Sequence, residues 1–81
     1  MTKRYIVKVR WADTASYNGW AHADKVAKWG KQEVIVESVG FFIEKNKKHI
    51  IITGMQDIED DTHNDYQKIP LGCVKKITRL K

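Results

Sequence analysis

The strongest constraint on the fold is the alternation of residues 4–11 (RYIVKVRW), in which every second side chain is apolar and most of the others are basic. Successive side chains of a β-strand point to opposite faces, so the pattern predicts a half-buried strand. Residues 32–44 (QEVIVESVGFFIE) form the longest β-prone segment, and residues 49–55 form its predicted return strand. The unbroken triplet at residues 50–52 (III) predicts a strand covered on both faces, by the core and by a helix or neighbouring subunit.

The segment between the first two strands predicts a loop and then a short helix. Residues 12–20 (ADTASYNGW) are rich in turn-forming residues, and we expect Trp20 to fold back as a plug. Residues 21–29 predict a helix with Val26 and Trp29 on one face and a stop at Gly30. So short a helix is not stable alone, so we expect it to dock on the sheet.

The second half of the chain predicts further short strands. A glycine inside a strand commonly marks a bend, so residues 38–40 (SVG) predict one. Residues 45–48 predict a hairpin tip, 57–65 an acidic loop, 66–69 a short strand, 70–72 a tight turn and 73–80 the last strand. Together these segments predict a mainly β fold: a small, strongly bent five-stranded antiparallel barrel with one helix, in a single domain over residues 1–81.

The predicted core contains the apolar positions of these strands and of the helix. They are Tyr5, Val7, Val9, Trp11, Val26, Trp29, Val34, Val36, Phe41, Ile43 and Ile51.

The charge distribution points to an anionic partner. The net charge is +5, from fifteen basic and ten acidic residues, and residues 57–65 alone hold five of the acids. The remainder of the chain is therefore at +10, and a basic body of this kind suits nucleic acid. The alternative interpretation is that lysines on strand edges block aggregation.

No pattern in the chain predicts catalysis, a metal site or a cofactor. His63 lies among carboxylates, but neither the HExxH spacing of zinc sites nor the DxDxDG pattern of calcium loops is present. Cys73 with a histidine is the only conceivable nucleophilic pair, and we expect this thiol to face the core or an interface. A single cysteine excludes an intrachain disulfide and favours a cytoplasmic protein. No stretch approaches the ~20 apolar residues of a membrane span.

Basic residues gather in three groups that predict a nucleic-acid-binding surface. They are Lys45, Lys47 and Lys48 with His49 at the hairpin tip; Lys75, Lys76, Arg79 and Lys81 on the last strand; and Lys3, Arg4, Lys8 and Arg10 on the first. The first and last strands of a small barrel lie close together, so the last two groups are expected to merge into one strip. Tyr17, Trp20 and Tyr66 are the candidates for base stacking, unless they cap an open end of the barrel.

The second half of the chain resembles the Sm-like family of small β-barrel proteins. Residues 40–43 (GFFI), the triplet at 50–52 and the acids Asp57 and Glu59 are similar to the family's first motif. Residues 69–77 (IPLGCVKKI) are similar to its second motif. The match covers residues 33–80, and the whole chain looks most like divergent members of phage and environmental origin.

The resemblance implies a Src-homology-like barrel and a homo-oligomeric ring, in which the fourth strand of one subunit pairs with the fifth of the next. It also implies RNA binding around the pore, at Lys45, Lys47, Lys48, His49 and Gly72. Lys45 and His49 stand where the family has aspartate and asparagine, and Leu71 stands where it has arginine. The helix occupies a position where the family normally has only a turn.

Two main hypotheses therefore stay open. The first is a non-enzymatic, Sm-like homo-oligomer of the cytoplasm, or of the host cytoplasm if phage-encoded, that binds RNA or single-stranded DNA. The second is a phage-type interaction or assembly module whose partner is a protein and which has no nucleic-acid ligand. A plain small-ligand barrel is a third, weaker hypothesis.

Overall fold

The chain folds into one antiparallel sheet with a short helix between the first two strands. The structure, a computed structural model, describes residues 3–13 and 18–80. Its elements are β1 (Ile6–Asp13), α1 (Ala23–Gly30), β2 (Val34–Lys45), β3 (His49–Asp57), β4 (Thr62–Pro70), a 3₁₀ turn (Leu71–Cys73) and β5 (Val74–Leu80). The mainly β class, the five strands and the single helix are confirmed, with the helix at Ala23–Gly30 instead of 21–29.

The sheet is open. Its strand order is β4-β3-β2-β1-β5, so β4 and β5 are its two edges, and within the described ranges these strands do not pair with each other. β1 pairs with both β2 and β5, as expected for neighbouring first and last strands. The chain alone therefore forms a bent sheet and does not close into a barrel.

The break in β2 lies beyond the predicted bend. The register between β2 and β3 shifts between Phe42 and Glu44, whereas the bend was predicted at residues 38–40. Gly40 serves a different purpose, because a Cβ atom there would lie 2.6 Å from the backbone oxygen of Thr53. Gly40 thus permits the close approach of β3 to β2. The irregularity that changes the direction of β2 lies a few residues further on, between Phe42 and Glu44.

A small aliphatic core lies on one face of the sheet. Its fully buried members come from three strands and are Val7, Val9, Ile50, Ile52 and Ile69. Ile51 was predicted to be the core residue of β3, but it is only half-buried, since alternation places its two neighbours inward. Trp11 packs against this core with Phe42 and Ile77.

The β3–β4 hairpin is longer than predicted. The acids of residues 57–65 predicted a loop with a strand only at 66–69, but β3 extends to Asp57 and β4 begins at Thr62. Asp61 and Asp65 have φ angles of 52° and 58°. Aspartate tolerates this left-handed conformation, so the acids form a tight turn and a distortion within the hairpin.

The helix projects from the sheet instead of docking on it. No residue of α1 is buried, and Trp20, the predicted plug, is 104% exposed. Val26, Trp29 and Val34, all predicted core residues, are also exposed, as is Tyr5. The radius of gyration is 16.3 Å, whereas a compact domain of this length has about 12 Å. The expectations of a docked helix and of a Trp20 plug are therefore wrong for the single chain.

The burial pattern of β3 predicts unequal effects of the same substitution at neighbouring isoleucines. Ile50→Val should lower the free energy of unfolding by about 1 kcal/mol, because it removes a buried methylene from a packed core. Ile51→Val removes the same group from a half-buried side chain and should cost less than about 0.5 kcal/mol. Urea unfolding followed by tryptophan fluorescence measures both; equal losses would contradict the assignment of Ile50 to the core.

Candidate nucleic-acid interface

The tip of the β2–β3 hairpin meets the turn that joins β4 to β5. The backbone N–H of Leu71 donates to the carbonyl oxygen of Lys48 at 2.8 Å, and His49 lies opposite Pro70 in the β3–β4 ladder. We call residues 45–49 and Leu71–Cys73 the tip surface. It brings Lys45, Lys47, Lys48 and His49 together with Gly72, which is distant from them in sequence.

Asn46 organises the backbone of the tip surface. Its Oδ1 accepts hydrogen bonds from the backbone N–H groups of Lys48 and His49, both at 2.8 Å, and its Nδ2 donates to Glu44 at 3.2 Å. Asparagine commonly stabilises turns through side-chain bonds of this kind. Sequence reasoning missed Asn46, although an asparagine between lysines in a hairpin tip is itself a turn signal.

The lysines of the tip surface carry unneutralised charge. In the described part of the chain, Lys45, Lys47 and Lys48 form no ion pair. All three are exposed, and His49 is half-buried. Their ammonium groups can therefore approach phosphates at little desolvation cost. Gly72 has open space around its Cα, so this glycine is not required by steric contact.

The predicted residues of β5 are partly neutralised. The Nζ of Lys75 lies 3.2 Å from a carboxylate oxygen of Glu33. The guanidinium of Arg79 lies 4.2 Å from the centroid of the Tyr5 ring, and the same ring stacks on Phe42. Lys76 is the remaining β5 lysine, and it lies opposite Arg10. Lys81 lies outside the described residues.

The strip formed by β1 and β5 exists, but a carboxylate lies in its middle. Lys8, Arg10 and Lys76 line one small polar cleft, together with Glu37 and Thr78. Glu37 accepts hydrogen bonds from Arg10 and lies 3.7 Å from Lys8. The hydrogen bond from Arg10, followed by the charge of Lys8, lowers the pKa of Glu37. The strip therefore offers less net positive charge than its sequence indicates.

The two candidate stacking residues that the structure describes are not at the tip surface. Trp20 lies beside the projecting helix, and Tyr66 lies on β4 opposite Thr53. Both are exposed, so neither caps an end of the sheet in the single chain. Tyr17 lies outside the described residues. Among the residues that the structure describes, the tip surface thus provides charge without an aromatic platform.

A polar network joins the start of β1 to the β3–β4 turn. Arg4 donates to both carboxylate oxygens of Asp61, at 3.0 and 2.9 Å. His63 Nε2 lies 2.8 Å from Asp61 Oδ1, and His63 Nδ1 lies 2.9 Å from the Thr53 hydroxyl. The carboxylate can only accept, so Nε2 donates to it; in the neutral ring Nδ1 then accepts from Thr53. The Arg4 hydrogen bonds, and then that of His63, hold the pKa of Asp61 well below its usual range.

The order Thr53–His63–Asp61 has the residue types of a nucleophilic triad, and sequence reasoning did not foresee it. Thr53 is 2% exposed, so its hydroxyl has no access to a substrate. Asp61 is also engaged by Arg4, which ties β1 to the hairpin. These hydrogen bonds therefore link Arg4, just before β1, to the β3–β4 hairpin, and their role is structural. Within the described ranges, no group of three or more histidine, cysteine or acidic side chains could hold a metal ion.

Comparison with known proteins provides no relative: no family model, curated protein or solved structure matches this chain. Among the residues that the structure describes, no helix is long and apolar enough to cross a membrane.

The Asp61 network predicts a pH-dependent contribution to stability. Asp61→Asn keeps a residue that tolerates the positive φ and removes the charge, and it should lower the melting temperature at pH 7. The folded-state pKa of Asp61 is depressed, so its contribution is present above the unfolded value near ~3.9 and is lost as the pH falls below it. The difference between wild type and variant should shrink as the pH falls below about 4.

The matched control for this measurement is Asp60→Asn, since Asp60 is a neighbouring, exposed carboxylate with no ion pair among the described residues. In an Arg4→Met background, Asp61→Asn should have a smaller effect than in the wild type, because one partner is already missing. Equal effects of Asp60→Asn and Asp61→Asn at pH 7 would contradict the role of the network.

Proposed function

We propose that this chain is a non-enzymatic, self-assembling Sm-like protein that binds RNA or single-stranded DNA at the tip surface. The observation that carries the proposal is the meeting of the lysine-rich hairpin tip with the β4–β5 turn, through the Leu71–Lys48 hydrogen bond. The motif resemblance of residues 33–80 points to the same two segments.

Electrostatics favour the tip surface over the strands as the primary phosphate contact. The three tip lysines are exposed and form no ion pair among the described residues. Lys8 and Arg10, in contrast, share Glu37, Lys75 contacts Glu33, and Arg79 lies over Tyr5. A paired lysine must give up its carboxylate before it can bind a phosphate. Its contribution to the binding free energy is therefore smaller than that of an unpaired lysine. Lys76 is the strand residue best placed to extend the contact.

Pairing with other copies would cover the two edge strands that are unpaired in the single chain. β4 and β5 are antiparallel edge strands of nine and seven residues, and exposed edges pair readily with another chain. Pairing β4 of one copy with β5 of the next leaves no edge unpaired once the ring closes. In such a ring the tip surface recurs once per subunit, so weak contacts add along one strand of nucleic acid.

A second candidate function is an interaction or assembly module without a nucleic-acid ligand. The observation that favours it is the projecting helix, where Trp20 is fully exposed and Val26 and Trp29 are also solvent-accessible. Exposed tryptophans are enriched in protein interfaces and do not require nucleic acid.

Filter binding of short single-stranded RNA and DNA across a series of salt concentrations tests the first proposal. The affinity should fall steeply with salt, because binding releases counterions from phosphates. Replacing Lys45, Lys47 and Lys48 together by glutamine should weaken binding and reduce the slope of log affinity against log salt by about 2, at about 0.7 per phosphate contact.

Lys25, Lys28 and Lys31 replaced together by glutamine form the matched control, because the change in net charge is identical and the site lies on the helix. This control should keep most of the wild-type affinity. Absence of binding at low salt, or equal losses in the two triple variants, would contradict a site at the tip surface and favour the second candidate.

Light scattering coupled to size-exclusion chromatography tests the assembly. The expected mass is a fixed multiple of the 9.4 kDa chain, unchanged on moderate dilution. A monomer at all concentrations would contradict the ring.

A further inference from the structure

The segment that projects from the sheet has an apolar face that the described residues leave uncovered. We call residues 18–33 the arm; it contains α1 and is attached where Asp13 pairs with Val34. Helices shorter than about 12–15 residues are marginal in water, and α1 has eight residues, none of them buried. The arm therefore needs a contact beyond its own backbone bonds to stay ordered.

One side of the arm is shaped to make such a contact. Trp20, Val26 and Trp29 line a shallow groove of about 450 Å³, and Lys25 lies at its border. Tryptophans bury about 150–250 Å² each and dominate interface energetics. Trp20 and Trp29 can therefore supply much of the buried area of a contact, and Lys25 beside them favours an acidic partner surface.

The sheet carries a surface that complements this anchor. Beyond Thr53 the ladder between β2 and β3 ends, and a cavity of about 310 Å³ lies between Val39 and Tyr66, with Asp65 at its wall. Val39 is 56% and Tyr66 is 77% exposed, so two apolar side chains border a mainly polar cavity that is open to solvent. We call it the receiving cavity.

The charges of the two surfaces are opposite. Three lysines of the arm, Lys25, Lys28 and Lys31, form no ion pair among the described residues. On the β3–β4 hairpin, the acids without an ion pair are Asp57, Glu59, Asp60 and Asp65. A partner that combines exposed apolar side chains with acids suits the arm, and this chain presents both, at Val39 and Tyr66 and on the β3–β4 hairpin.

We propose that the arm of one copy docks in the receiving cavity of a second copy, with its lysines facing the acidic β3–β4 hairpin. Reciprocal exchange of two arms forms a two-fold dimer and doubles the buried area. The contact uses faces of the sheet and not the edges of β4 and β5. It depends neither on edge pairing nor on nucleic-acid binding, and the tip surface stays free.

A charge-swap experiment followed by sedimentation velocity tests the proposal. In one variant Lys25 and Lys28 become glutamate; in the other Glu59 and Asp60, whose φ angles are ordinary, become lysine. Each alone should weaken the arm-dependent association, seen as a boundary that sediments faster than the edge-paired assembly, at least about tenfold, since two attractive pairs become repulsive. A one-to-one mixture pairs opposite charges again in both contacts, so it should recover the wild-type affinity within about twofold.

The control variant changes Lys47 and Lys48 to glutamate, which alters the net charge equally on the tip surface and should leave this association within about twofold. Trp20→Ser removes the exposed anchor and should weaken association at least about tenfold. Because Trp20 has no contact with the core, the urea transition of the Trp20→Ser variant should match that of the wild type.

Distinct outcomes would overturn the proposal. If the arm variants leave self-association unchanged, the copies assemble through other surfaces, such as the β4 and β5 edges. If each charge variant is weakened and the mixture is not restored, the arm does not dock on a second copy. If the wild type stays monomeric and binds vesicles with 30 mol% anionic lipid in a Trp20-dependent way, a membrane surface and not a second copy covers the arm.

Discussion

The packing of Ile50, Ile52 and Ile69 against Val7 and Val9 is the interaction on which the rest of the structure depends. These five side chains join β1, β3 and β4, which include an edge strand and the strand that holds β5. They decide which face of β3 points inward, and through that register they place His49 opposite Pro70. The meeting of the hairpin tip with the β4–β5 turn is thus a consequence of how a few aliphatic side chains exclude water.

So small a core leaves much apolar surface outside. Val39, Tyr66, Trp20 and Trp29 are exposed in the single chain, and α1 has no buried residue. A domain of this length buries a limited share of its surface, and oligomerisation is a common remedy. The open edges and the arm are two separate means of burying more, and they involve different parts of the molecule.

Electrostatic pairing divides the basic residues into two classes. Arg4 holds Asp61, Arg10 and Lys8 share Glu37, and Lys75 contacts Glu33, so these side chains support the fold. The lysines of the tip surface have no such partners within the described residues. Net charge alone indicated an anionic ligand without locating it; the pairing pattern favours one end of the β2–β3 hairpin.

The residue pattern was sufficient for much of the fold and for part of the candidate site. Period-two alternation in β1, the long β-prone segment of β2 and the glycine and proline signals predicted five strands and a helix close to their observed positions. The grouping of Lys45, Lys47 and Lys48 was visible as well, because neighbours in a hairpin tip are neighbours in space. Asn46 and the Thr53–His63–Asp61 network were not visible, since hydrogen bonds depend on side-chain directions that no spacing rule provides.

Local chemistry determined strand and turn positions, because alternation, turn residues and helix stops act over a few residues. Tertiary structure decided which isoleucine of β3 is buried, that the acids of residues 57–65 extend a hairpin, and that the helix projects instead of docking. Each of these outcomes depends on contacts between residues far apart in sequence, such as Arg4 with Asp61 or Gly40 with Thr53. Amphipathic patterning shows that a helix face needs a cover, but the position of the rest of the molecule decides whether that cover lies within the same chain.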